Sequence, residues 1–398
     1  MARSVARERN ERLFLAGGVV RDLLLGRPVR DVDLVVEGDA PAFARRLAAR
    51  LAATARVHAR FSTATLALPD GETLDVAATR RETYARPGAL PDVAAGAPIE
   101  DDLARRDFTI NALALEVGSK TRLLDPLGGR DDLARGLVRA LHEASFRDDP
   151  TRALRAVRYA NRLGFRLEPA TRRWIADSTK AGALDRISAD RLRRELRLIL
   201  EEPRRSTAVR CLQKMGIAAA IHPALGRPAA PARLRRTEAL VARTGSAASW
   251  LCYLFAWMAD ASAVEAAGVA QRLGMSGAQQ RRLLAWPGDV ARLPAGLAGR
   301  ARSEVRRAAR DLRLDEILAI ASGLGAADAR ALLAAAPGSR GPRLSIRGGD
   351  LLAAGVPAGP ALGRALQLTL AALEDGRVDP SPSAELAFAL RAARQENA

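Results

Sequence analysis

The sequence predicts an α+β fold, with a small mixed sheet and helices at the N-terminal end followed by an all-helical remainder. Three observations carry this. Short runs with strand patterning occur only up to about Asp125. From about Glu143 onward, Arg/Ala/Leu segments place apolar residues at helical spacing, separated by Gly/Pro breaks such as "EEPRR", "LGRPAAPARL" and "APGSRGPRL". Hydrophobic residues make up 48% of the chain and aromatics only 4%, so the core must be Leu, Ala and Val, which favours helices. At 398 residues the chain is too long for one core, since single cores stop growing at roughly 250–300 residues. Two to four packed units are expected.

In chain order, "RLFLA" and "DVDLVV" read as strands and "DAPAFARRLAARLAA" as a helix capped by Asp39. "ATLALPDGETLDVAA" reads as two strands joined by a Pro-Asp-Gly turn, and "DDLARRDFTINALAL" as an apolar helix interrupted by Arg105, Arg106, Asp107 and Asn111. "TGSAASWLCYLFAWMA" is shorter than the roughly 18 apolar residues of a membrane span and reads as a core helix. No membrane partner is expected. Internal boundaries fall at the Pro/Gly-rich stretches near Gly226 to Arg233 and Ala336 to Arg343.

Sixty-three basic against 45 acidic residues give a net charge of +18, and all basic residues but Lys120, Lys180 and Lys214 are arginine. Such a balance suits a polyanion, but spread arginines also follow from codon usage, so charge alone supports nucleic acid weakly. Cys211 and Cys252 lack CxxC spacing and argue against a disulfide framework, and acidic residues near Met1 argue against a signal peptide. A cytoplasmic protein is expected.

The densest chemistry lies in "AGGVVRDLLLGRPVRDVDLVVE". Side chains alternate faces along a strand, so Asp31 and Asp33 share one side while Val32 points to the other. Burying two unpaired carboxylates together costs several kcal/mol. Either they end a strand in water or against arginine, or they hold a cation, for which oxygen-only ligands favour Mg²⁺. Gly17 and Gly18 follow a strand and open a helix, so backbone N–H groups face the same place, and Arg21 lies one turn further on. That is a candidate phosphate cradle. Asp75 in "GETLDVAA" is a candidate third acid, alternatively a solvent-facing strand residue.

Asp107 and Asn111, four apart, share a helix face, with Asp107 either capping the helix or joining Arg106 in gripping a ribose and phosphates. In "FRDDPTRALRAVRYANRLGF", Asp149 and Arg152 stand three apart, and Arg155 and Arg158 continue the spacing. A carboxylate beside a guanidinium complements the Watson–Crick edge of cytosine or adenine, whereas the alternative is a surface ion pair.

As an ordered set, "AGGVVRDLLLGRPVRDVDLVVEGD", "RRDFTINALAL", "LLDPLGGRDDLARGLVRAL", "DDPTRALRAVRYANRLGF" and "ISADRLRRELRLIL" resemble the class II tRNA nucleotidyltransferases and their poly(A) polymerase relatives over about the first 205 residues. A fainter likeness to the family's tail runs from Ile346 to Gln367. The resemblance implies four segments: a nucleotidyltransferase head at 1–140, a helical base-recognising neck at 141–205, a helical body at 206–340 and a helical tRNA-binding tail at 341–398. It implies metal-binding Asp31 and Asp33, triphosphate-binding Gly17, Gly18, Arg21 and Arg158, and ribose-binding Arg106, Asp107 and Asn111. Asp149 and Arg152, with Arg155 alongside, would read the base, and Asp190, Arg191 and Glu195 would brace the neck, with Asp190 where the family more often has glutamate. Asp75 would complete the catalytic acids.

The implied activity adds C, A or both to the tRNA 3′ end from CTP and ATP with Mg²⁺ and release of pyrophosphate. CCA-, CC- and A-adding enzymes look alike at these motifs, although "RRETYARPGALP" is closer to the partial-addition enzymes. A poly(A) polymerase and a non-catalytic RNA-binding descendant are the competing readings. None of His58, His142 or His222 is followed by aspartate, so the His-Asp signature of a phosphohydrolase domain is missing.

Overall fold

The computed structural model describes residues 1–29, 32–83, 85–86, 88, 91–336 and 342–395. They form two compact units, residues 1–227 and 228–398.

In the first unit, α1 (Ala2–Arg9) precedes β1 (Arg12–Ala16), α2 (Gly18–Leu24), β2 (Asp33–Glu37) and α3 (Ala40–Leu51). Three strands, β3 (Thr54–His58), β4 (Thr63–Ala67) and β5 (Thr73–Ala78), come next, then the ribbon β6 (Arg80–Thr83) and β7 (Asp92–Ala95). After α4 (Ile99–Ala104) come β8 (Ala114–Glu116) and β9 (Arg122–Leu124), which complete a seven-stranded mixed sheet of order β3-β4-β5-β2-β1-β8-β9. Most neighbours are antiparallel, but β2 and β5 run parallel with Asp33 opposite Asp75.

Alternation along the strands decides which side chains each face receives. Leu13, Leu34, Val36, Leu66 and Val76 point to a core closed by Phe43 and Leu47 of α3. Phe14, Ala16 and Val35 point to the opposite core, closed by Ile99 and Leu103 of α4. Asp33 shares its side with Val35, so the strand sends its acid to the α4 face. The N-terminus of α3 is capped by Asp39, whose Oδ1 accepts the Ala42 N–H at 3.0 Å.

One expected element is different. "DFTINALAL" is not a helix: Thr109–Asn111 make a single 3₁₀ turn and Ala114–Glu116 form β8, with Leu115 opposite Leu15 of β1. Pairing with the sheet buries Ala112, Leu113 and Ala114 completely and outweighs the helical preference of alanine and leucine.

The unit continues through α5 (Gly129–Arg135), β10 (Leu137–Val138), α6 (Ser145–Asp148), α7 (Thr151–Leu163), β11 (Arg166–Leu167), α8 (Pro169–Lys180), α9 (Ala189–Glu201), α10 (Arg205–Lys214) and α11 (Ile217–Ile221). The short β10–β11 pair is parallel and lies past the point where strand patterning fades from the sequence. The second unit is helical among its described residues, from α12 (Ala230–Thr244) to α21 (Pro382–Gln395). Its helix α13 (Trp250–Trp257) is buried at every residue, and Phe255 stacks on Trp286 with ring centroids 4.7 Å apart. No described helix is long and apolar enough to cross a membrane.

Candidate active site

The site grows from the turn between β1 and α2. Gly17 has φ +83°, a conformation that favours glycine, and a Cβ there would stand 2.1 Å from Arg106 Nη1, so the Arg106 tip would have to shift. Gly18 then starts α2. Arg21, 4% exposed, grips the neighbouring Asp22 with Nε and Nη2 at 2.8 and 2.9 Å and donates from Nη1 to Asn111 Oδ1 at 2.7 Å.

Asp31 lies outside the described residues. Asp33 lines two clefts. One, of 750 Å³, is also bordered by Gly18, Arg21, Asp22, Asn161 and Arg204. The other, of 400 Å³, is bordered by Thr65, Asp75, Asp102 and Arg106. Asp75 accepts the Thr65 hydroxyl on Oδ1 at 2.6 Å. Among the described residues, no three His, Cys, Asp or Glu side chains gather into a metal site by themselves. The adjacent Asp33 and Asp75 offer only oxygen donors, which fits a hard divalent cation.

Around this centre, arginines are held in place by buried acids. Arg106 donates from Nη2 to Asp102 Oδ2 at 2.9 Å and from Nη1 to the Asn111 carbonyl at 3.3 Å. Asp107 accepts Asn111 Nδ2 on Oδ1 at 2.9 Å and Arg155 Nη2 on Oδ2 at 2.6 Å. Burial raises the Asp107 carboxyl, but Arg155, Asn111 and Arg152 outweigh it and hold the group below its ordinary range. Asp102 behaves likewise: burial opposes ionisation, and Arg106 and Arg105 more than offset it. Tyr159 sits among three guanidiniums, with the carbons of Arg158, Arg21 and Arg155 at 5.0, 5.3 and 5.6 Å from its ring centre.

The Arg152 N–H donates to the Asp149 carbonyl at 3.0 Å, but the two side chains have other partners. Asp149 Oδ1 accepts the Thr151 N–H, the Thr151 hydroxyl and Arg191 Nη2 at 3.0, 2.6 and 2.7 Å, whereas Arg152 Nη2 donates to the Arg105 carbonyl at 2.9 Å. Arg152 also borders a cleft of 310 Å³ with Arg105, His142 and Asp148. Glu195 pairs with Arg158 at 3.3 Å and Arg155 at 3.6 Å, tying α9 to α7, and Arg191 adds the link to Asp149. Asp190 takes no part in this brace: its side chain is 79% exposed and its partner is Arg193 on the same helix.

The sequence reading passed over Asp102, Thr65 and Tyr159. Asp102 had a legible signal, since it stands three and four residues before Arg105 and Arg106 on one helical turn.

Residues 13–139 match the poly A polymerase head domain, and residues 164–227 match the probable RNA- and SrmB-binding site of polymerase A. The N-terminal part of the chain is thus similar to the poly A polymerase head domain. The A-adding tRNA nucleotidyltransferase of Halalkalibacterium halodurans is 46% identical over 194 residues, covering 48% of this chain and 45% of that protein. The CC-adding tRNA nucleotidyltransferase of Deinococcus radiodurans is 40% identical over 206 residues, covering 51% of this chain and 54% of that protein. The chain thus spans about half the length of these curated relatives. The Thermotoga maritima CCA-adding enzyme, solved with tRNA, superposes with a TM-score of 0.80 at 27% identity, covering 98% of this chain and 93% of that one.

Proposed function

We propose that the chain is a template-independent nucleotidyltransferase that extends the 3′ end of tRNA from ATP or CTP, with Mg²⁺ as its metal and the cytoplasm as its compartment. The observation that carries the reading is the placement of Asp33. It stands opposite Asp75 on parallel strands and borders the cleft that holds Gly18 and Arg21. An acid pair thus adjoins a phosphate cradle. Asp33 and Asp75, with Asp31, would hold the metal, which would supply the charge that lowers the pKa of an attacking 3′-hydroxyl and offsets that of a departing pyrophosphate.

The chain's own groups do the rest. Gly17 and Gly18 leave backbone room for the triphosphate, and Arg21 and Arg158 supply charge to it. Arg106, Asp107 and Asn111, already interlocked, form a preorganised rim for the ribose. Asp149 and Arg152 face the base with Arg155 behind them, and nucleotide binding must draw Asp149 from Arg191 or share it. Glu195 and Arg191 brace α9 against α7. In the second unit, the tail from 341 onward is the segment we assign to tRNA contact.

Terminal A addition is favoured over CC addition, because the A-adding relative is 46% identical and the CC-adding one 40%. The test supplies Mg²⁺ and labelled ATP or CTP to tRNA lacking the terminal A, to tRNA lacking CCA, and to complete tRNA. A single A on the first substrate alone is expected. C incorporation refutes the A-adding reading, and long A tracts on unrelated RNA favour poly(A) polymerase. No incorporation, with RNA binding retained, favours a non-catalytic RNA-binding protein. Asp33→Ala is expected to abolish transfer while tRNA affinity persists.

A further inference from the structure

Asp102 is the most constrained acid in the first unit that the proposed reaction leaves without a role. Its side chain is 1% exposed, and it carries two arginines at once. Oδ1 accepts Arg105 Nε and Nη2 at 3.0 and 2.6 Å and the Arg80 backbone N–H at 3.2 Å, while Oδ2 accepts Arg106 Nη2 and Nε at 2.9 and 3.3 Å.

The two arginines lead to different parts of the site. Arg106 lies across the Gly17 turn, 2.1 Å from the place a Cβ would occupy. Arg105 ends α4, offers its carbonyl to Arg152 Nη2 at 2.9 Å and reaches Glu82 from Nη1 at 2.9 Å. One buried carboxylate therefore anchors both the phosphate side and the base side.

We propose that Asp102 is a positioning residue that sets the nucleotide grip through Arg106 and base discrimination through Arg105 and Arg152, without touching the nucleotide. This rests on the nucleotidyltransferase reading above. A purely structural buried acid would support the fold and nothing more. Asp132 provides the comparison: it is 3% exposed and accepts Arg139 Nε at 2.9 Å and the Thr109 hydroxyl at 2.7 Å, but neither partner is one of the site arginines.

The experiment compares Asp102→Asn, Asp102→Glu and Asp132→Asn in the full chain, measuring melting temperature, kcat, nucleotide KM and the ratio of correct to incorrect nucleotide incorporated on tRNA. Asp102→Asn keeps the shape and removes the charge, so KM should rise and the ratio fall by about tenfold each, the scale of one lost charge-assisted hydrogen bond. Asp102→Glu restores charge and should recover part of both. Asp132→Asn should lower the melting temperature while KM and the ratio stay within about twofold of wild type. Unchanged KM and ratio in folded Asp102→Asn overturn the proposal, as does an equal shift in Asp132→Asn. Should wild type extend no RNA, the parent reading fails by itself. Equilibrium binding of ATP with Mg²⁺ then decides, and affinity equal in wild type and Asp102→Asn overturns the positioning role.

Discussion

Replacing Gly17 with alanine tests how tightly the phosphate turn and the arginine behind it are built together. A backbone at φ +83° admits a side chain only under strain, costing about 1–3 kcal/mol. The new Cβ would also stand 2.1 Å from Arg106 Nη1. An arginine tip can normally swing aside, but this one is held by Asp102 Oδ2 and by the Asn111 carbonyl. Expelling it from a buried carboxylate forfeits about 1.5–3 kcal/mol more. The total is about 2.5–6 kcal/mol, of which only the second part depends on Arg106. A double-mutant cycle separates the two. In an Arg106→Ala background the clash is gone, so Gly17→Ala should cost only the strain. The free energies come from hydrogen exchange of the β1 amides, which report on the head directly. A Gly17→Ala cost that is the same in both backgrounds to within about 0.5 kcal/mol would refute the proposed interlock.

Three further outcomes follow from the same geometry. Asp107 has a folded pKa below its usual 3.8, so its contribution to stability is fully present above the ordinary carboxylate range and is lost as pH falls through the depressed value; urea midpoints of wild type and Asp107→Asn should differ at pH 7 and converge at the acid end. Glu195→Gln leaves Arg158, itself 5% exposed, without its counter-charge and should destabilise the first unit by about 3 kcal/mol, whereas Asp190→Asn should change it by less than about 0.5 kcal/mol in the same denaturation series. At Gly129 a Cβ would meet the Thr109 carbonyl oxygen at 2.3 Å, a backbone atom that cannot rotate away, so Gly129→Ala should cost about 2–3 kcal/mol by hydrogen exchange in α5; Gly71, with φ +88° and no neighbour within 4 Å, should lose only about 1 kcal/mol on the same change.

What the sequence made legible was what depends on near neighbours and on period. Alternation in "DVDLVV" placed an acid on one face of a buried strand, and Asp39 marked the start of α3, because both are decided within a few residues. "DFTINALAL" misled for the complementary reason. A short apolar run suits a helix or a buried strand equally, and β8 exists only because β1, a hundred residues earlier, offers it an edge. The charged motifs divide in the same way. Asp149 and Arg152 stand three apart and read as a pair, yet Asp149 is claimed by Arg191, 42 residues on, and Arg152 by a carbonyl 47 residues back. Asp102 shows that spacing without burial is also insufficient. Its arginines at the third and fourth positions look like any exposed helical ion pair, worth a few tenths of a kcal/mol. Burying the Asp102 carboxylate between the two arginines removes water from it, and each contact then has to be made or its loss is felt at Arg105 and Arg106 alike.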